Sequence, residues 1–326
     1  MKILNTLSGG KDSLASTLWL LNNGYKKFTT VFCDTKWESE ITYKHIDNVV
    51  KQLGLDFRVL KSKKYDGLID LSRRKTRFPS TTRRFCTSEL KNIPMIDYIL
   101  DEVRDHILVI QGIRAGESES RSKMSQQCNY FKYYLEPIET NFALLPKLKA
   151  KLSTNLSEDK REKLLKRIDK IEDRLSKGKL DPQYHTYRRK EVLEYCKKYS
   201  TDVLRPVFDW TGQQVINYIL DNDLEPNPLY RMGLSRVGCF PCINCNLMEI
   251  HQISQRFPER IYEIEKAEME IGSTFFPYDK ISNKYCKQPG IRDIVAYVKS
   301  KYDSGDIFEE LTDDYTSCMS YYGLCE

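Results

Sequence analysis

The segment Ser8-Gly9-Gly10-Lys11-Asp12-Ser13 joins an apolar run, Ile3 to Leu7, that reads as a strand to an apolar-periodic run, Ser13 to Asn22, that reads as a helix. At such a junction two glycines let backbone N–H groups approach an anion. The helix N-terminus adds a positive dipole, and Lys11 adds a full charge. The loop is not a Walker A motif, which places four residues between its glycines before Lys-Ser/Thr. Here the glycines are adjacent and Asp12 precedes Ser13. A plain surface turn is the alternative, and the strand before and helix after weigh against it.

The following residues keep the alternation of a parallel sheet wrapped by helices. Phe28 to Cys33 reads as a strand, Ser39 to Leu53 as a helix, Phe57 to Leu60 as a strand, Ser88 to Glu102 as a helix and Ile107 to Gln111 as a strand. The expected fold class is α/β with a doubly wound parallel sheet. Ligands of such sheets bind beyond the carboxyl ends of the strands, where Asp34 stands in Asp34-Thr35-Lys36-Trp37-Glu38. Asp34 is a candidate for Mg²⁺ or a ribose; capping the next helix is its bland alternative.

After Pro137 the pattern changes. Leu144 to Leu180 is rich in Lys and Glu, with Leu164, Ile168, Ile171 and Leu175 at helical spacing, and reads as one or two inserted helices. The α/β character resumes at Arg188 to Tyr199 and at Thr211 to Asn222, with Thr211 as N-cap and Asp221-Asn222-Asp223 as a stop. Beyond Pro258 the chain is acidic and aromatic, with helical stretches at Arg260 to Ile271 and Ile291 to Lys301. The expected organisation is a nucleotide-binding domain over 1–250, carrying a basic helical insertion at 146–180, and an α-rich C-terminal extension over 251–326.

Charge sharpens the reading of the insertion. Pro146 to Leu180 holds twelve Lys/Arg against six Asp/Glu, a surplus equal to the net +6 of the whole chain. A local surplus suits a polyanion such as nucleic acid; a solvated helix face is the plainer alternative. No apolar run approaches the roughly 20 residues of a membrane-spanning helix. The N-terminus lacks the apolar core of a secretory signal, so a cytoplasmic protein without a membrane partner is expected. In that compartment ten cysteines point away from a disulfide framework, toward metal or redox chemistry. Cys33, in an apolar run, is the exception, read as a buried small hydrophobe.

Gly238-Cys239-Phe240-Pro241-Cys242-Ile243-Asn244-Cys245 places three thiols at C-x-x-C-x-x-C spacing, from which all three can converge on one metal centre. Thiolate-only ligation fits an iron–sulfur cluster or structural Zn²⁺; three unliganded cysteines are the remaining possibility.

The phosphate loop resembles the Ser-Gly-Gly-x-Asp-Ser signature of PP-loop ATP pyrophosphatases, which implies an adenine nucleotide alpha hydrolase-like fold and ATP cleaved between its α and β phosphates. Within that group the chain resembles the phosphoadenosine phosphosulfate (PAPS) reductase family over most of residues 1 to 250 outside the insertion. Beyond the loop, the resemblance rests on Arg84-Phe85-Cys86-Thr87-Ser88-Glu89-Leu90-Lys91 with Pro94, and on Gly112-Ile113-Arg114-Ala115-Gly116-Glu117-Ser118 with Arg121. It also rests on Pro206-Val207-Phe208-Asp209-Trp210 running through Asn227-Pro228-Leu229-Tyr230 to Ser235-Arg236-Val237-Gly238-Cys239.

Arg83, Arg84, Lys91, Arg114 and Arg121 are cations able to clamp phosphate, sulfate or a pyrophosphate leaving group. Ser8 to Ser13, Asp34, Arg84, Lys91 and Gly112 are the expected nucleotide-binding residues, with Lys11, Asp12, Arg114 and Arg121 acting in the chemistry. Glu117 is expected to orient an arginine or a metal. The resemblance further implies that Cys86 joins Cys239, Cys242 and Cys245 around a [4Fe–4S] cluster, with Cys128 in reserve.

Three functions follow. The first is an ATP pyrophosphatase that adenylylates an acceptor for sulfur transfer, with Mg²⁺ and a sulfur-donor protein such as a cysteine desulfurase, on nucleic acid by analogy to DNA phosphorothioation. The second is a PAPS or adenosine phosphosulfate reductase using Cys325 as nucleophile, although Cys318 and Cys325 lie in a tail unlike the Glu-Cys-Gly-x-His pattern of those enzymes. The third is a nucleotide-binding sensor or scaffold without chemistry.

Overall fold

The computed structural model describes residues 1–135, 141–154, 156–178 and 187–303. Strands β1 (Lys2–Thr6), β2 (Thr29–Cys33), β3 (Asp56–Leu60), β4 (Ile107–Ile110), β5 (Gln127–Asn129) and β6 (Thr201–Leu204) form a sheet in the order β3-β2-β1-β4-β6-β5. β1 runs parallel to β2 and to β4, with Leu4 opposite Thr29 on one side and Val109 on the other, and β2 runs parallel to β3. Ile3, Leu4, Val31, Phe32, Ile107, Val109 and Ile110 are all buried, as expected where helices cover both faces of a sheet. The fold is the doubly wound α/β class. β5 and β6 are additions to the sequence reading: three and four residues with little apolar content leave almost no periodicity to find.

The order of strands reverses between β1 and β4, so the crevice beyond their carboxyl ends is the ligand position of such a sheet. Helix α1 (Lys11–Asn22) begins at the second glycine of the phosphate loop. Helix α2 (Glu40–Leu53) is capped by the Ser39 hydroxyl, which accepts from Ile41 N–H, and ends on Gly54 at φ +61°. Helix α3 (Leu68–Lys75) and a helical run over 85–103 complete the first half.

Two compact units divide the chain. One comprises the described residues of Met1–Cys128 and Asp202–Glu326. Its largest core joins Trp37, Leu71 and Leu90 to Ile264, Ile294 and Val298, which come from helices Pro258–Ile271 and Ile291–Asp303. The region beyond 250 is therefore α-rich, its helices joined by a non-α stretch over 272–290, and it shares this core. Helix Gly212–Leu220 starts at Thr211, whose hydroxyl accepts from Gln214 N–H while the Gln214 side chain accepts from Thr211 N–H.

The other unit is Asn129–Thr201. It contains helices Asn141–Leu152 and Glu158–Ser176, which bury Leu148, Ile168 and Ile171 together with Leu164 and Leu175 packed alongside, and a third helix, Arg189–Lys198. No helix among the described residues is long and apolar enough to cross a membrane.

Candidate functional site

The phosphate loop is shaped by the side chains of Thr42, Ser13, Asn227 and Tyr230. Gly9 sits at φ +77°, where an added Cβ would lie 2.6 Å from Thr42 Cγ2, so a side chain is excluded by conformation and by space. Ser13 Oγ donates to Gly10 O at 2.8 Å and accepts from Ser8 N–H at 3.1 Å, folding the turn back on itself. Asn227 Nδ2 donates to Gly9 O at 3.1 Å, and the phenol oxygen of buried Tyr230 accepts from Lys11 N–H at 3.0 Å. Lys11 Nζ lies 5.3 Å from the centre of the Tyr230 ring and 3.8 Å from Asp12 Oδ2. Burial pushes the Tyr230 phenol well above its usual value, so it stays a neutral hydrogen-bonding group.

Gly112 follows β4 and closes the switch point. A Cβ there would stand 2.4 Å from Ser13 N and Cα, so the two loops touch backbone to backbone. Two residues on, buried Arg114 donates from Nε to Asp12 Oδ1 at 2.7 Å and from Nη1 to Trp210 O at 3.3 Å. Asp12 and Arg114 thus form a buried pair that fixes the loop. Arg121 is paired with Glu117, whose carboxylate also accepts from Arg114 N–H at 3.3 Å. Desolvation, and then the charges of Arg236, Arg84 and Arg114, lower the affinity of Arg121 for its proton. Arg236, Arg84 and Arg114 thus lie close enough to Arg121 for their charges to act on it, with Arg114 held by Asp12 and Arg121 by Glu117. Arg83 is exposed, and its backbone N–H donates to Ser80 Oγ.

At the end of β2, Asp34 accepts from Lys36 N–H at 2.8 Å and from Tyr43 OH at 2.7 Å, with Lys61 Nζ at 3.5 Å. It does not cap α2; Ser39 does. Tyr43 OH also reaches Glu38 at 3.1 Å, and buried Glu38 accepts from Thr35 N–H, Thr35 Oγ1 and Trp37 N–H. Trp37 and Glu38 then grip the cysteine turn. Glu38 and Cys239 form an antiparallel bridge, Phe240 N–H donates to Trp37 O at 2.7 Å, and Trp37 Nε1 donates to Pro241 O at 3.0 Å.

Cys242 is near enough to act on the ionisation of Cys86, Cys239 and Cys245, and Cys86 on that of Cys239. Lys91 Nζ lies 3.8 Å from Cys239 Sγ, and that sulfur raises the lysine's proton affinity despite burial. Burial pushes the Cys239 thiol up to about 12, against the pull of Lys91, and drives the Cys245 and Cys86 thiols up as well. Among the described residues no three His, Cys, Asp or Glu side chains gather closely enough to hold a single metal ion. Cys86, Cys239, Cys242 and Cys245 are four soft thiolate donors, a set that either an iron–sulfur cluster or structural Zn²⁺ takes. Cys128 lies against Arg205 Nη1 at 3.5 Å. Cys33 donates to Lys91 O at 3.6 Å and is pushed up to about 11 by burial. Cys318 and Cys325 lie outside the described residues.

Sequence reading assigned no role to Tyr230, Asn227, Arg236, Tyr43 or Glu249. Buried Glu249 accepts from Ser235 N–H, Ser235 Oγ, Arg236 N–H and Asn246 N–H at 2.8 to 3.0 Å, holding the segment that carries Arg236 and the cysteines. Only Tyr230, Asn227 and Arg236 stood in segments that signalled a relationship; Glu249 and Tyr43 carried no signal.

A family model described as the phosphoadenosine phosphosulfate reductase domain matches residues 2–131 and 149–245. An uncharacterised 37.8 kDa protein of Escherichia phage 186 is 26% identical over 98% of this chain and 96% of its own length. An uncharacterised protein of Methanocaldococcus jannaschii is 23% identical over 79% of this chain, which spans 39% of that protein. The adenosine 5'-phosphosulfate reductase of Neisseria meningitidis is 43% identical over 65 residues, 20% of this chain and 27% of that enzyme.

Proposed function

Because this chain belongs to the phosphoadenosine phosphosulfate reductase domain family, we propose that it is an ATP pyrophosphatase that activates an acceptor by adenylylation for sulfur transfer. Nucleotide-dependent sulfur chemistry is the family's general business. The observation that carries the finer reading is the phosphate loop, locked by Gly112, Asn227, Tyr230 and the Asp12–Arg114 pair beside Arg84, Arg121 and Arg236.

An acceptor oxygen attacks the α-phosphorus of ATP, and the electron pair of the α–β bridging bond leaves with pyrophosphate. Backbone N–H groups of Gly9 to Ser13 and the N-terminus of α1 hold the phosphates. Arg121, Arg84 and Arg236 meet the charge that grows on the leaving group, where fixed cations stabilise a transition state more than a ground state. Asp12 holds Arg114, and Asp34 would hold the ribose or Mg²⁺. Mg²⁺, when bound, neutralises pyrophosphate. The outer sulfur of a persulfide on a donor protein such as a cysteine desulfurase then displaces AMP from the acceptor, and a thiol cleaves the S–S bond so formed, leaving sulfur on the acceptor. Cys86, Cys239, Cys242 and Cys245 would hold a [4Fe–4S] cluster. The basic helices of 146–180 favour nucleic acid as acceptor.

The test is the product analysis of ATP incubated with Mg²⁺, duplex DNA and a persulfide donor. AMP and pyrophosphate in equal amounts are expected; ADP with inorganic phosphate overturns the reading. Iron and acid-labile sulfide in anaerobically purified protein, both lost in Cys242→Ser, are expected for the cluster. The match to adenosine 5'-phosphosulfate reductase favours one second reading, reduction of that sulfonucleotide, for which thiol-dependent sulfite release is the sign.

A further inference from the structure

Helix Glu158–Ser176 carries its charges in an order that composition does not reveal. At 3.6 residues per turn, Lys160, Lys163, Arg167 and Lys170 fall within about 80° of arc and span about 15 Å of the axis. Leu164, Ile168, Ile171 and Leu175 fill the neighbouring arc and pack within the helical hairpin. Glu158, Glu162, Asp169 and Glu172 fall on the opposite side, while Asp173 lies between and Asp159 at the edge of the cationic row.

Three cations outside this line are engaged within the hairpin, Lys149 with Glu172 at 2.6 Å, Lys166 with Glu162 at 2.5 Å and Lys177 with Asp173 at 2.7 Å, whereas Lys151 and Arg161 lie outside it as further exposed cations. Among the described residues Lys160, Lys163, Arg167 and Lys170 are exposed and enter no ion pair. A face stabilised by alternating charges would show the reverse arrangement.

We infer that this row is a contact surface for the phosphate backbone of a nucleic acid. One strand carries a phosphate about every 3.4 Å of axial rise and winds about the axis between them, so a straight row of about 15 Å lies beside at most about four phosphates. An anionic membrane is the poorer occupant. A helix that settles into a bilayer surface needs a free apolar face, and here Ile168 and Ile171 are buried against Leu148. Recognition through phosphates is independent of sequence and strongly dependent on salt. The inference deepens the acceptor assignment above and rests on that reading for the purpose of the contact.

The test is fluorescence anisotropy of a labelled mixed-sequence oligonucleotide, single-stranded and duplex, titrated with the full chain between about 50 and about 200 mM salt. The parent is compared with the fourfold variant Lys160→Gln, Lys163→Gln, Arg167→Gln and Lys170→Gln. The parent should lose affinity by about a hundredfold across that range, and the variant should lose most of this dependence while keeping the parent's circular dichroism and its ATP turnover without nucleic acid. Equal salt dependence in parent and variant overturns the inference. So does binding of phosphatidylserine vesicles with no binding of nucleic acid. Binding that follows the prediction without any pyrophosphate release leaves the surface standing and removes the activity.

Discussion

The guanidinium carbon of Arg260 lies 4.5 Å from the centre of the Trp37 ring, while Arg260 Nη2 donates to Glu38 O at 3.3 Å. The same guanidinium stands 5.6 Å from the Phe240 ring, and Nη1 pairs with Glu263 at 2.9 Å. Arg260 belongs to helix Pro258–Ile271, beyond the residues matched by the family model. The C-terminal helices therefore brace the Trp37–Glu38 segment where it pairs with the cysteine turn.

Removing that brace should loosen the turn. Arg260→Ala loses a largely buried cation–π contact and a hydrogen bond, and is expected to lower unfolding stability by about 1 to 2 kcal/mol. Alkylation of Cys239 and Cys242 in metal-free protein should become faster, as read by mass spectrometry. Arg260→Lys should recover part of the stability, since an ammonium keeps the ring contact. Unchanged stability and alkylation in Arg260→Ala would exclude a bracing role.

Gly112→Ala places a methyl group 2.4 Å from the Ser13 backbone. The neighbouring atoms are main chain and cannot rotate away, so the phosphate loop must shift. ATP affinity measured by calorimetry should fall by at least about tenfold, with the fold retained in circular dichroism, because misplacing the loop's donors removes their charge-assisted bonds. Native affinity in this variant would mean that the loop does not hold the phosphates.

Burial pushes the His45 imidazole, on α2, down to about 4 from its usual 6.5. Between those values the unfolded chain takes up a proton that the folded protein refuses, so this residue's contribution to stability is intact above neutral pH and is lost as pH falls toward 4. The shift would correspond to about 3 kcal/mol in full, and partial exposure of the ring reduces it to about 2 kcal/mol. Urea unfolding at pH 7 and pH 4.5 should show His45→Gln losing less stability than the parent by roughly that amount. Parallel losses in the two proteins would contradict the shift.

The sequence by itself determined the doubly wound class, the glycine-pair loop with the helix that follows it, the Thr211 cap and the helical character of the basic segment, but not whether that segment forms one helix or two. Each is a local pattern: a glycine pair at a strand–helix junction, a hydroxyl three residues before a glutamine, apolar residues three and four apart. Short-range sterics and hydrogen bonding write such patterns into neighbouring residues. Tertiary structure alone decided that Asp12 pairs with Arg114, that Gly112 lies on Ser13, and that Glu249 and Arg260 hold the cysteine turn. Those partners are separated by up to 223 positions, as between Trp37 and Arg260. Contacts of that kind arise from how the sheet closes and which faces pack, and they leave no periodicity along the chain for a reader of the sequence to find.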